Sequence, residues 1–182
     1  MFQLLFERSA DAIILFDPQL GVFVDCNQAL VELMGADSKE QFLRRRPEDF
    51  APPVQPNGRS SSEMTAEVVA LVEKNGGHRF EWVGRRSDGQ EFPMEVLVTK
   101  IEVDGRSLNV SVARDITERK RTEAALRESE QKFRGLFEAS SDGIIIIDPQ
   151  SRRHIDCNAA ALRMAGRGSP SCSCCSLAAR WR

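Results

Sequence analysis

Long hydrophobic runs are absent from this sequence. Uninterrupted apolar stretches such as Ala12–Phe16 and Ile144–Ile147 fall far short of the roughly 20 residues that a membrane-spanning helix needs. The N-terminus also lacks the basic stretch and apolar segment of a secretory signal peptide. These absences predict a cytoplasmic protein with no membrane segment in this chain.

An excess of basic charge is missing as well. Lysine and arginine total 25 against 27 aspartates and glutamates, which gives a formal net charge of −2 at pH 7. A chain without a basic field is not predicted to bind nucleic acid. The sequence also has no nucleophile elbow, P-loop or zinc HExxH motif, and no phosphoacceptor histidine helix or ATP-binding glycine motif of a histidine kinase. The chain is therefore predicted to contain no catalytic domain.

What the sequence does contain is a long internal repeat. Residues 2–35 read FQLLFERSADAIILFDPQLGVFVDCNQALVELMG, and residues 133–166 read FRGLFEASSDGIIIIDPQSRRHIDCNAAALRMAG, without gaps and at a constant offset of 131. An offset of this length is the size of a domain. The repeat predicts one complete domain and the beginning of a second.

The hydrophobic pattern and the turn signals predict an α+β fold with antiparallel strands. Apolar runs bounded by turn signals indicate strands, and apolar residues at helical spacing indicate short helices. In chain order the predicted elements are helix Phe2–Ala10, strands Ala12–Phe16 and Val22–Cys26, helices Gln28–Met34, Ser38–Phe42 and Glu63–Lys74, and strands Arg79–Arg86, Glu91–Val103 and Leu108–Arg114. Asn27 is well placed to cap the helix that follows it.

A highly charged helical segment follows from Ile116 onward. Within it, Leu126, Ser129, Phe133 and Leu136 follow a 3–4–3 spacing that indicates a thin coiled-coil-like seam. A solvated single helix is the alternative.

Four segments of the chain resemble the PAS domain of bacterial sensory proteins. They are FERSADAIILFD, DCNQALVELMG, EWVGRRSDGQEFPMEV and VARDITERKRTEAALRESEQKF, and together they span nearly all of residues 1–140. The resemblance implies a five-stranded antiparallel sheet of order 2-1-5-4-3 with helices on one face, then a signalling helix. It implies a PAS domain over 1–117, a charged helical linker over 118–136, and part of a second PAS domain over 137–166.

The resemblance implies a role in signalling rather than a reaction. It predicts a sensing and dimerisation module of a two-component sensor kinase or a cyclic-di-nucleotide enzyme. A small-molecule ligand and a homodimer formed through the linker helix or the N-terminal helix are expected. Two alternatives stay open: a stand-alone protein–protein interaction module without a ligand, and a cofactor-binding redox sensor.

Asp115, Ile116 and Thr117 form the candidate signal relay, because similar domains join their last strand to the signalling helix at such a triplet. Either polar residue can cap a helix that starts here, and Ile116 can anchor that helix to the core. A helix cap without any switching role is the alternative, since a relay requires evidence of coupling.

Apolar residues on the helices and the sheet are candidates for lining a ligand cavity, with an ordinary packed core as the alternative. These candidates are Ile14, Val24, Leu30, Met34, Phe42, Val68, Leu71, Val72, Phe80, Trp82, Met94, Val96, Val110 and Val112.

The ligand's identity is left unknown, but the sequence disfavours haem and flavin. Haem needs an axial ligand, and the long helix Glu63–Lys74 has no histidine; His78 is expected in the turn after it and exposed. Flavin photochemistry in related domains uses a helical cysteine, and Ser38–Arg46 contains none.

The five cysteines do not predict a metal site. Cys26 and Cys157 are equivalent positions of the repeat and are expected to be small buried side chains. Cys172, Cys174 and Cys175 lack a fourth nearby ligand. They fall in a Cys/Ser/Arg-rich tail over 167–182, which is predicted to be disordered and whose composition suggests a shifted reading frame or a truncated gene.

Overall fold

The computed structural model describes residues 2–103 and 105–166. The chain divides into two compact units, Met1–Lys120 and Arg121–Arg182. The division falls within one long helix, a few residues beyond the predicted end of the first domain at 117. The predicted disorder of the tail, and its three cysteines, lie outside the described residues.

The first unit is built on a five-stranded antiparallel sheet of order β2-β1-β5-β4-β3. Its strands are β1 (Ala12–Asp17), β2 (Val22–Cys26), β3 (Gly77–Arg85), β4 (Glu91–Val103) and β5 (Arg106–Asp115). The α+β class and the strand order are those predicted from the sequence, and both are confirmed.

Short helices connect β2 to β3 and precede β1. They are α1 (Phe2–Arg8), α2 (Gln28–Met34), two 3₁₀ turns (Lys39–Gln41 and Pro47–Phe50) and α3 (Ser61–Asn75). Helix α2 ends at Gly35, whose φ of 60° places it in the left-handed conformation that glycine adopts most readily. The helix predicted at Ser38–Phe42 is only a 3₁₀ turn: Ser38 makes no capping hydrogen bond with its side chain, and Arg44, just beyond the turn, has a φ of 62°, which a helix cannot contain.

The pairing of β5 with β1 determines which side chains face the helices. Ile14 lies opposite Ser111 and Phe16 lies opposite Asn109. Because side chains alternate along a strand, Asn109 and Ser111 share the inner face of the sheet with these two residues. The buried core of the unit lies between this inner face and helices α2 and α3.

The second unit contains the remainder of α4 (Thr117–Ala139), the hairpin of β6 (Ile145–Ile147) and β7 (His154–Cys157), and helix α5 (Ala159–Met164). Ile145 pairs with Cys157, as Ile14 pairs with Cys26 in the first unit. Both hairpins carry a register shift at the same place in the repeat. The sequence repeat is thus also a structural repeat of strand, hairpin and helix.

Among the residues that the structure describes, no helix is long and apolar enough to cross a membrane.

Candidate ligand cavity and strand exit

A cavity of about 120 Å³ lies inside the first unit, between the inner face of the sheet and the helices. Its wall is formed by all five strands, by helices α2 and α3, and by residues in or directly after the two 3₁₀ turns. The lining residues are Ile14, Phe16, Phe23, Leu30, Met34, Phe42, Pro47, Phe50, Thr65, Val68, Val69, Phe80, Trp82, Met94, Val96, Val98, Asn109, Ser111 and Ala113.

Aromatic rings form much of this wall. Phe42 and Phe50 have ring centroids 4.8 Å apart, and Phe50 also approaches Phe23 at 6.2 Å. Phe80 meets Trp82 edge to face at 6.0 Å. Such contacts fix the orientation of large rigid rings, so the cavity has a defined shape.

Nine of the residues predicted from the sequence line the cavity: Ile14, Leu30, Met34, Phe42, Val68, Phe80, Trp82, Met94 and Val96. The other five do not. Val72 is fully buried in the adjoining core, Leu71 does not reach the wall, and Val24 on β2 is exposed.

The difference at Val110 and Val112 has a simple cause. The prediction placed the apolar residues of β5 inward, but β5 turns its more polar face, Asn109, Ser111 and Ala113, toward the cavity. Val110 and Val112 therefore lie on the opposite face of the sheet. Sequence alternation alone identified the two faces of β5 but not which one points inward.

The candidate relay lies where β5 ends and α4 begins, a place called the strand exit below. It consists of Asp115, Ile116 and Thr117. An oxygen of Asp115 accepts a hydrogen bond from the backbone N–H of Thr117, the first residue of α4, at 2.7 Å. This satisfies one of the N–H groups that a helix start leaves without a partner. Ile116 is buried, and its backbone N–H donates to the carbonyl of Pro93 at 3.1 Å. The start of α4 is thus attached to the end of β5 and to β4.

Arg86, whose role the sequence pattern did not predict, joins the end of β5 to helix α2 of the cavity wall. Its guanidinium lies 2.7 Å from the second oxygen of Asp115 and donates from its other terminal nitrogen to the carbonyl of Leu33 in α2. The guanidinium carbon also lies 3.9 Å from the ring centroid of Phe92, which is close enough for a cation–π contact. The only sequence signal for this role was an arginine immediately before the Ser87-Asp88-Gly89 turn.

These contacts change the ionisation of Asp115. Burial opposes the charged form, but hydrogen bonding from Thr117 and the adjacent Arg86 guanidinium outweigh it and hold the pKa of this carboxyl below its ordinary value. Asp115 is therefore a carboxylate at neutral pH, in the form that both partners require.

A second set of charges holds the first turn of α4 against the outer face of the sheet. Arg119 lies 3.2 Å from Glu81 on β3 and 3.3 Å from Glu95 on β4, and Lys120 lies 2.6 Å from Glu81. The Lys120 hydrogen bond, together with the charges of Lys120 and Arg119, lowers the pKa of Glu81, although burial opposes this shift. Because Arg119, Lys120 and Glu81 are about half exposed, their ion pairs are weak and open to screening by salt.

Asn27 caps α2 and does more than the prediction assigned to it. Its side-chain oxygen accepts from the backbone N–H of Leu30 at 3.1 Å and from that of Ile13 at 2.9 Å. Its side-chain nitrogen donates to the carbonyls of Phe6 and Asp11. One fully buried amide thereby joins α1, β1 and α2.

The described cysteines and histidines offer no alternative site. Cys26 is fully buried, and this burial raises the pKa of its thiol to about 11. Nearby carboxylates add to the increase, and Lys39 partly offsets it. His78 lies within β3 rather than in an exposed turn, half-buried and stacked on Phe80 at 5.7 Å. Within residues 2–103 and 105–166, no group of three metal-ligating side chains comes together.

Comparison with known proteins identifies the family. A PAS domain model matches residues 10–118, and a second PAS domain model matches residues 131–179. The chain belongs to the PAS domain family.

A sensor and a kinase are similar to this chain in sequence. The methyl sulfide methyltransferase-associated sensor of Methanosarcina acetivorans is 30% identical over 138 residues, which cover 74% of this chain and 13% of that protein. Sporulation kinase E of Bacillus subtilis is 30% identical over 165 residues, which cover 91% of this chain and 21% of that kinase. The chain thus spans about a fifth or less of the length of these relatives, and it is homologous to sensory PAS domains.

Solved structures show the same fold. A PAS domain from Colwellia psychrerythraea is 26% identical, with a TM-score of 0.55, and the match covers 64% of this chain and 95% of that one. A domain of a sensor histidine kinase/response regulator from Geobacter sulfurreducens is 23% identical, with a TM-score of 0.51, over 63% of this chain and 90% of that one.

Proposed function

We propose that this chain is a signal-sensing module of a cytoplasmic signal-transduction protein, of the two-component sensor kinase or cyclic-di-nucleotide enzyme type. Occupancy of the cavity is sensed, and the strand exit passes the change to α4. The chain itself carries no catalytic step, and any output reaction belongs to other parts of a longer protein.

The observation that carries this proposal is the double attachment of Arg86. Helix α2 contributes Leu30 and Met34 to the cavity wall, and the carbonyl of Leu33 between them binds Arg86. The backbone N–H of Ser87 also donates to the carbonyl of Met34, at 2.9 Å. A ligand that displaces α2 therefore moves Arg86, and with it the Asp115 carboxylate that holds the start of α4.

The proposal can be tested by filling the cavity without a ligand. Val68→Phe places a larger side chain at the wall from α3, and Ala70→Phe adds a ring at an exposed position of the same helix as a matched control. We expect Val68→Phe to change amide hydrogen exchange at residues 117–121 at least about threefold, and Ala70→Phe to leave it unchanged. Equal exchange at the start of α4 in both variants would contradict a sensory role for the cavity.

Dimerisation is the second part of the proposal. Leu126, Phe133 and Leu136, three members of the predicted seam, expose 60%, 55% and 76% of their surface on α4. Large apolar side chains in a row on an otherwise charged helix favour association with a second copy. Leu126→Glu with Leu136→Glu should turn a dimer into a monomer in light scattering, while the charge-matched control Arg127→Glu should not. A monomer in the unmodified chain would contradict this part.

A further inference from the structure

We propose that the cavity takes a small, uncharged, largely apolar molecule with one hydrogen-bonding group, and that Asn109 and Ser111 recognise that group. This inference rests on the proposed function, because it names the class of ligand for the same cavity.

The first observation is the side chain of Asn109. It lines the cavity, Asn109 is only 4% exposed, and no hydrogen bond joins its side-chain amide to any residue that the structure describes. An amide that lines a cavity without a protein partner still has its donor and acceptor groups available to a molecule inside that cavity.

The second observation is the position of Ser111. It is two residues from Asn109 on the same face of β5, so their side chains lie about 7 Å apart along one strand. The remaining polar residue of the lining, Thr65, already donates its hydroxyl hydrogen to the carbonyl of Ser61 at 2.9 Å. Asn109 and Ser111 thus form a single polar strip on an otherwise apolar wall.

The charge of the ligand follows from the lining. None of the residues that form the cavity wall in the described part of the chain is Asp, Glu, Lys, Arg or His. A charged ligand would lose its hydration without gaining an opposite charge, which is strongly unfavourable. The ligand is therefore neutral.

The size of the ligand follows from the volume. A cavity of roughly 150 Å³ accommodates benzene, and this one measures about 120 Å³. It suits a molecule of at most about six non-hydrogen atoms, such as a small alcohol or ketone. The side-chain amide of Asn109 can donate to the carbonyl of a ketone or accept from the hydroxyl of an alcohol, so both types of ligand fit.

Three probes with the same number of non-hydrogen atoms test the class: cyclopentanol, methylcyclopentane and the cyclopentylammonium ion. Each is titrated into the full chain, and the Kd is measured by ¹H–¹⁵N NMR. We expect cyclopentanol to bind at least about tenfold more tightly than cyclopentylammonium, and the cross-peaks of the Asn109 side-chain amide to shift with cyclopentanol. The proposal would be overturned if cyclopentylammonium bound as tightly as cyclopentanol. It would also be overturned if no probe shifted the Asn109 side-chain amide signal, which would mean that only water occupies the site.

Asn109→Leu, a change of similar shape, separates recognition from simple burial. It should weaken cyclopentanol binding about five- to tenfold, the loss of one hydrogen bond, and leave methylcyclopentane binding unchanged or tighter. Equal effects on both probes would overturn the role of Asn109. If this variant does not fold, Ser111→Ala gives the same comparison with a smaller expected loss, of about threefold.

Val68→Phe tests whether the probes bind inside this cavity. It should abolish the binding of all of them, and cyclopentanol binding that survives it would put the ligand elsewhere and overturn the proposal. A failure of the ligand proposal can be distinguished from a failure of the proposed sensory function. Probe binding tests the ligand, whereas amide hydrogen exchange at the start of α4 in Val68→Phe tests the sensory function without any ligand.

Discussion

The guanidinium of Arg86 lies 2.7 Å from the carboxylate of Asp115 while it also binds the carbonyl of Leu33. Leu33 belongs to a helix of the cavity wall, and Asp115 ends the last strand of the sheet. One side chain thus connects a helix of the cavity wall to the end of the last strand, the two places that the proposed sensory function requires to be linked.

Asp115→Asn separates the charge of this residue from its hydrogen bonding. Asparagine can still accept from the Thr117 N–H but cannot form an ion pair with Arg86, so we expect a loss of about 0.5–1 kcal/mol, against about 1–2 kcal/mol for Asp115→Ala. Urea unfolding followed by Trp82 fluorescence, in a Trp181→Phe background, measures both. Identical losses in the two variants would show that the ion pair adds nothing.

The same variant predicts a pH dependence. The folded state lowers the pKa of Asp115 below its ordinary 3.8, so its contribution to stability is fully present above that value and is lost as the pH falls through the lower folded pKa. The stability difference between the wild type and Asp115→Asn should therefore be constant from pH 5 to 7 and should shrink below about pH 4. A difference that grows on acidification would contradict the assigned direction of the shift.

Asn27 and Asn158 are predicted to be equivalent structural centres of the two units. Asn158 accepts from the N–H groups of Ile144 and Ala161 and donates to the carbonyls of Phe137 and Asp142, as Asn27 does at positions 131 residues earlier. Asn27→Ala should destabilise the first unit by at least about 3 kcal/mol, because it leaves several buried groups unpaired. Asn27→Ser, which keeps the helix cap, should cost less. Asn158→Ala should leave unfolding monitored by Trp82 unchanged, and a shared loss would contradict separate units.

Cys26 is predicted to be unreactive. Its thiol is fully buried, and burial is the main cause of a pKa of about 11, so very little thiolate forms near neutral pH. With the three tail cysteines replaced by serine, Cys157, which is half-buried, should react with a thiol reagent at pH 8 at least about tenfold faster than Cys26. Rapid labelling of Cys26 in the folded chain would favour the redox alternative.

The second unit is predicted to exchange faster than the first. Strand β6 pairs only with β7 among the described residues, whereas its counterpart β1 lies between two strands, and unprotected strand edges open readily. Amide exchange at Ile145–Ile147 should be at least about a hundredfold faster than at Leu108–Arg114. Equal protection would indicate that another segment covers the free edge of β6.

The sequence predicted the fold better than the site. Element type followed from alternation and turn signals, and strand order followed from the family resemblance. Asn27 could be recognised as a cap because capping depends on neighbours along the chain. The inward face of β5 could not be predicted, since it depends on how β5 pairs with β1, and valines at 110 and 112 made the other face look like core. Arg86 was missed for a similar reason: its partners, Leu33 and Asp115, are distant in sequence and are brought together only by the fold.

The most direct test of the account combines Val68→Phe with Arg86→Gln and measures hydrogen exchange at residues 117–121 in both single variants and in the double variant. If Arg86 carries the change from the cavity to α4, Val68→Phe alters exchange in the wild-type background but adds nothing once Arg86 is replaced. If Val68→Phe has the same effect with and without Arg86, the link between the cavity and the strand exit does not pass through this residue, and the central claim is wrong.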